Sequence, residues 1–101
     1  MAYFALLYSV VDDFVAARAP YRAEHLGLAE AAHRRGELVL AGAFADPVDR
    51  ALLVFRATDR QVVEGFAQSD PYVRAGLVTH WEVRPWTVVI GDQPARPPKT
   101  P

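Results

Sequence analysis

The chain opens on a nearly continuous apolar run, Ala2 to Val11, rich in aromatic and branched side chains, which predicts a strand. Both alternation faces of that run are apolar: Tyr3, Ala5 and Leu7 on one, Phe4, Leu6, Tyr8 and Val10 on the other. A strand with one wet face alternates apolar with polar, so this one is expected to be covered on both sides. Asp12-Asp13 ends the run and caps a short helical turn, Phe14 to Ala17. Pro20 suits the first turn of a helix but not its interior, so the chain should break near Arg18-Ala19. The main helix then runs from Tyr21 to Arg35 and stops at Gly36, with Arg34 and Arg35 matching the helix dipole. Tyr21, Leu28, Ala29 and Ala32 form its apolar stripe, and His25 falls in the middle of it.

Leu38 to Phe44 is a second strand, Ala45 to Asp49 a turn by its Asp and Pro content, and Arg50 to Ala57 a third strand paired with the second as a hairpin. Thr58 or Asp59 caps a second helix, Gln61 to Gln68, with Thr58-x-x-Gln61 resembling a capping box; Val62, Val63 and Phe66 face the sheet. Ser69-Asp70-Pro71-Tyr72 follows as a stiffened turn, then a helical turn to Ala75 and Gly76. Leu77 to Val83 is the fourth strand, which Pro85-Trp86 breaks or ends, and Thr87 to Ile90 is a further short β run. The order βαββαβ is that of an α+β, ferredoxin-like antiparallel sheet with both helices on one face. The first and third strands are apolar on both faces, so the uncovered face calls for a second copy: a homodimer packed sheet against sheet, a dimeric α/β barrel.

Composition narrows the classes. A chain of 101 residues, 51% hydrophobic, suits one domain, residues 1–90. Four of eight prolines fall in the last eight residues, so 91–101 is expected to be a disordered tail. A formal net charge of −1, with no basic cluster broken up by aromatics, argues against nucleic acid. The absence of cysteine excludes disulfides, thiolate catalysis and zinc–thiolate sites. The opening apolar run is too short to span a membrane and has no basic leader, so a cytoplasmic location is the default expectation. The six glycines are scattered, never spaced as a phosphate loop or dinucleotide fingerprint, and no cofactor is expected.

The candidate chemistry lies in two residues far apart in sequence. Asp70 sits on the stiff turn, and His25 on the helix face that meets the sheet. Imidazole exchanges a proton near neutral pH, and a carboxylate on one ring nitrogen fixes its tautomer and steadies its cation. Such a pair is a general acid/base; equally, His25 can be a satisfied core histidine and Asp70 a cap on its own backbone. Ser69, Ser9 and Tyr72 are candidates for binding a substrate beside the pair, with ordinary capping or strand-end roles as the alternative. Arg22 and Arg18 either bind an anionic substrate or pair with surface carboxylates. His33 lies two turns beyond His25, about 12 Å by the rise per residue, too far to share one metal ion with it. His80, on a strand face with Glu82 and Arg84, is expected in solvent, and no metal site is expected.

Arg18 and Arg22 with His25-Leu26, Gly36-x-Leu38, Ala41-Gly42, Ser69-Asp70-Pro71-Tyr72, Gly76-Leu77 and Pro85-Trp86 occur in an order and spacing that resembles the YciI-like (YCII-related) family of small bacterial proteins. The resemblance implies the ferredoxin-like fold, the dimeric α/β barrel and a pocket built on a His–Asp pair, here His25 and Asp70. Members have been connected with dehydrochlorination of chlorinated aromatic diols, and the fold is shared with lactone isomerases and cofactor-free monooxygenases. Typical members carry a longer insertion between strands two and three, where this chain has a short turn. The implied function is a cofactor-free enzyme of lyase or isomerase type, acting by acid–base chemistry on a small aromatic or anionic molecule. The alternative is a non-catalytic ligand-binding or assembly module in which the pair is structural. Assembly beyond the dimer stays open.

Overall fold

The computed structural model describes residues 1–91. The tail expected over 91–101 lies, apart from Gly91, outside the described residues. Four strands form one sheet: β1 (Ala2–Val10), β2 (Leu38–Ala43), β3 (Arg50–Ala57) and β4 (Val78–Trp86). They lie in the order β2-β3-β1-β4, every neighbouring pair antiparallel. The helical pieces are α1 (Phe14–Ala17), a 3-10 turn over Ala19–Tyr21, α2 (Arg22–Arg34), α3 (Arg60–Ser69) and α4 (Pro71–Arg74). The α+β, ferredoxin-like arrangement expected from the pattern is the observed one.

The core lies between the sheet and the helices on one face. Phe4, Leu6 and Tyr8 of β1 and Leu53 and Phe55 of β3 pack there with Phe14, Ala32, Val63, Phe66 and Tyr72 from the helical pieces. Leu6 and Val63 are fully buried. The opposite face carries Ala5, Leu7 and Leu52, half-buried, in a shallow hollow with Arg84, Pro85 and Trp86. On that face Leu40 of β2 stays 62% exposed.

The chain breaks at Pro20 as its ring requires, with the 3-10 turn taking up the change of direction between α1 and α2. Gly36 ends α2 at φ 82°: its N–H donates to the His33 carbonyl and that of Glu37 to the Ala32 carbonyl, a double closure that needs a left-handed residue. Gly76 ends α4 in the same way, tying the Leu77 N–H to the Tyr72 carbonyl and leading straight into β4.

Four expectations change. Tyr21 lies in the 3-10 turn and is exposed, so it drops out of the α2 stripe. The α3 cap is Asp59, whose carboxylate accepts from the Gln61 N–H; Thr58 does not form the capping box. β4 runs on through Pro85 to Trp86, with Phe4 opposite Pro85: β4 is an edge strand, where a residue with no N–H is tolerated. Thr87–Ile90 forms no strand, and the β4 edge has no further partner among the described residues.

Leu6 is fully buried in the core, on one of the two inner strands. Leu6→Ala is expected to cost about 2–5 kcal/mol of unfolding free energy. Urea titration should show the midpoint falling with the slope unchanged; an unaltered midpoint would place the core elsewhere.

Candidate functional site

Asp70 is the residue between α3 and α4. It leaves helical geometry, at φ −70° and ψ 122°, because Pro71 follows and disfavours a helical residue before it. Pro71 then occupies the first position of α4, where its missing N–H is harmless. The Asp70 Oδ1 caps α4 by accepting the Tyr72 N–H at 3.0 Å. The same carboxylate is fully buried and faces inward.

Two further side chains meet it. Tyr8, on the helix-facing side of β1 and 1% exposed, donates its hydroxyl to Oδ2 at 2.8 Å. His25, in the second turn of α2, places Nδ1 2.9 Å from Oδ1 and 3.1 Å from Oδ2. An ionised carboxylate only accepts, so Nδ1 carries the proton, and in the neutral tautomer that this contact selects the lone pair lies on Nε2. The imidazole stacks on the Tyr72 ring, centroids 4.0 Å apart and planes 13° from parallel. Phe14 abuts Tyr72 edge-on at 5.3 Å, and the Arg18 guanidinium lies 5.3 Å above the Phe14 ring. The Tyr8 hydroxyl, the Asp70 carboxylate, the imidazole and the Tyr72 and Phe14 rings thus form one chain of contacts from β1 through the helix layer.

A cavity of about 230 Å³ opens beside this chain, partly open to solvent. Tyr8, His25 and Tyr72 line it with Arg18 and Arg22, against a wall of small residues from the sheet that includes Ala41, Ala43 and Ala51. Ala32 and Leu38 are buried where α2 meets β2, but Ala41 and Ala43 farther along β2 remain uncovered. The space follows from that: the helix layer does not close over the far half of β2, and alanines do not fill the gap. An apolar cavity of about 150 Å³ admits benzene, so this one is large enough for a single substituted ring. His25 is reachable from it, its side chain 14% exposed.

The structure therefore brings His25, Asp70, Arg22 and Tyr72 together and leaves two candidates outside. Ser9 sits on the β1 face turned away from the helices, opposite His80. Ser69 is exposed and borders a separate hollow with Leu28, Arg35 and Phe66. One step along the strand explains the first, since neighbours on a strand face opposite ways. Tyr8 is the residue that points into the site, and its parity with Phe4 and Leu6 was the available signal: a tyrosine on a buried face needs a partner for its hydroxyl. His33 is engaged elsewhere, its Nδ1 donating to the Leu38 carbonyl at 2.7 Å. Among the described residues no group of three His, Cys, Asp or Glu side chains has the geometry to hold a metal ion. No helix among them is long and apolar enough to cross a membrane.

Residues 1–87, which contain the entire sheet and this site, match the family model of the YCII-related domain. The chain belongs to the YCII-related family. In fold this YCII-related domain is similar to the 5-chloro-2-hydroxyhydroquinone dehydrochlorinase of Burkholderia phenoliruptrix, solved in complex with 2,5-dihydroxybenzoquinone. The two share 20% sequence identity at a TM-score of 0.70, over 83% of this chain and 92% of that one. Comparison with curated proteins finds no match.

Burial raises the Tyr8 phenol above its ordinary value of 10.0, and the neighbouring Asp70 carboxylate, by its charge and as hydrogen-bond acceptor, raises it further. The folded chain thus holds this proton at pH values where the unfolded chain has released it. Stability from this group is fully present below the unfolded value and is lost as pH rises above it. Above about pH 10 the loss should reach about 1.4 kcal/mol per pH unit. Urea midpoints measured from about pH 9 to pH 11 should fall more steeply for the native chain than for Tyr8→Phe; parallel slopes would mean that Tyr8 does not keep its proton.

Proposed function

We propose that this YCII-related domain is a small cofactor-free enzyme that moves protons on a single-ring substrate, with His25 as general acid/base and Asp70 as its orienting partner. The observation that carries the reading is the Nδ1–carboxylate contact of 2.9 Å on one side of a ring whose other side borders a ring-sized cavity. In this reading Nε2 takes a proton from the substrate, and Asp70 steadies the imidazolium that forms. The electron pair left behind shifts through the ring system. Either it expels a leaving group from another carbon, an elimination, or a proton returns from Nε2 at another carbon, an isomerisation. Tyr72, through its ring, and Arg22 contact the substrate. The dehydrochlorinase with the same fold supports the reaction class by analogy.

A second reading also has an observation in its favour. Asp70 caps α4 and anchors Tyr8 in the same buried spot, so the pair can serve the fold alone, in a ligand-binding or assembly module. Chloride release from 5-chloro-2-hydroxyhydroquinone, the neighbour's substrate, is the first assay. His25→Ala is expected to remain folded and to lower turnover by about 10²–10⁴-fold, the usual share of general acid–base catalysis. Turnover unchanged in the folded variant would sink the acid–base assignment, and an unfolded Asp70→Asn beside a fully active His25→Ala would favour the structural role.

The same proposal includes a homodimer joined through the bare sheet face, where Leu7, Leu52 and Trp86 surround a shallow apolar hollow. Sedimentation at micromolar concentration should show a dimer, and Leu52→Glu, on that face, should shift it to monomer. A native chain that sediments as a monomer refutes this part without touching the chemistry.

A further inference from the structure

The cavity beside His25 carries an unbalanced charge. Arg18 and Arg22 both line it. The ion pairs among the described residues are His25–Asp70, Arg35–Glu37 and Arg60–Glu64, and none of them takes in Arg18 or Arg22. Asp70, behind His25 and Tyr8, is fully buried and already accepts from Tyr8, His25 and the Tyr72 backbone. Guanidinium groups stay charged at any physiological pH. Two of them therefore look onto a ring-sized apolar space with no carboxylate among the described residues that line it.

Arg18 is not a loose surface charge, while Arg22 is exposed at the rim. Arg18 is half-buried and rests over the Phe14 ring, which in turn abuts the Tyr72 ring that carries the His25 stack. Arg22 follows Arg18 by four residues, across the 3-10 turn over Ala19–Tyr21, and precedes His25 by three. The Pro20 break thus sets both guanidiniums on the rim of the cavity that His25 borders. The wall opposite is made of short side chains, Ala41, Ala43 and Ala51 with Leu53, and offers no side-chain acceptor or donor.

We propose that the ligand of this site is a monocyclic aromatic anion, a ring bearing a carboxylate or similarly acidic group that Arg18 and Arg22 hold at the rim. The ring lies against the alanine wall, and its remaining substituents reach Nε2 of His25. This rests on the proposed acid–base reading for what happens to the ring, but not for the charge it carries. The arginines also supply the place where negative charge left by proton removal is stabilised.

Benzoate and benzamide, equal in shape and different in charge, test it. Titrations followed by the NMR signals of the His25 ring should give benzoate an affinity about tenfold or more above benzamide, the scale of a hydrogen bond between charged partners. In the Arg18→Gln/Arg22→Gln double variant the two should bind within about twofold of each other, while His25→Gln, followed through the Tyr72 ring, should keep the preference. Equal binding by the native chain, a preference that survives loss of both arginines, or no response of these rings to either probe overturns the proposal. So does loss of the preference in His25→Gln, which would make the imidazolium the anion's partner. Neither probe reacts, so the result stands apart from the outcome of any turnover assay.

Discussion

A buried carboxylate is the constraint on which the rest of this molecule depends. Asp70 has no exposed surface. An ionised group taken out of water costs several kcal/mol unless its lone pairs are met, so its partners are obligatory. They come from three places: a phenol from the central strand, an imidazole from α2 and a backbone N–H from α4. Each donor fixes the element that carries it relative to the others. The site is therefore not an addition to a finished fold; the same hydrogen bonds that orient the imidazole hold the helix layer against β1.

This removes a choice that the sequence left open. An aspartate on a turn is either a cap for the next helix or a partner for a distant side chain, and on paper the two exclude each other. Here Oδ1 does both, accepting the Tyr72 N–H and facing His25 Nδ1. The cap holds the carboxylate's rotamer, and the fixed rotamer makes the histidine contact reproducible. Pre-organisation of this kind is what an acid–base site needs, whatever its substrate.

Most of the architecture was legible because composition and punctuation agreed: near-continuous apolar runs in β1 and β3, Pro20 at the break, Gly36 and Gly76 as helix stops. The contact between His25 and Asp70 was legible in kind, since one lay on a sheet-facing stripe and the other on a rigid turn. What escaped was parity at the end of β1. Ser9 has the chemistry expected of a site and Tyr8 the look of core, yet the pleat sends Tyr8 inward. Ser69 failed for a similar reason: the backbone turns at Asp70, so adjacent side chains part company. The run of β4 through Pro85 was hidden because proline's effect depends on which side of the strand is unpaired, and this is a property of the sheet, not of the segment.

The wall of alanines across from His25 has a consequence for how such a protein can change. Ala41, Ala43 and Ala51 touch the cavity but none of the hydrogen bonds of the carboxylate. Replacing any of them with a bulkier residue would narrow the space while leaving those hydrogen bonds in place. Under the proposed function, the shape of the accepted molecule and the chemistry done to it are then written in separate parts of the chain, and single steps along β2 and β3 would change the first without touching the second.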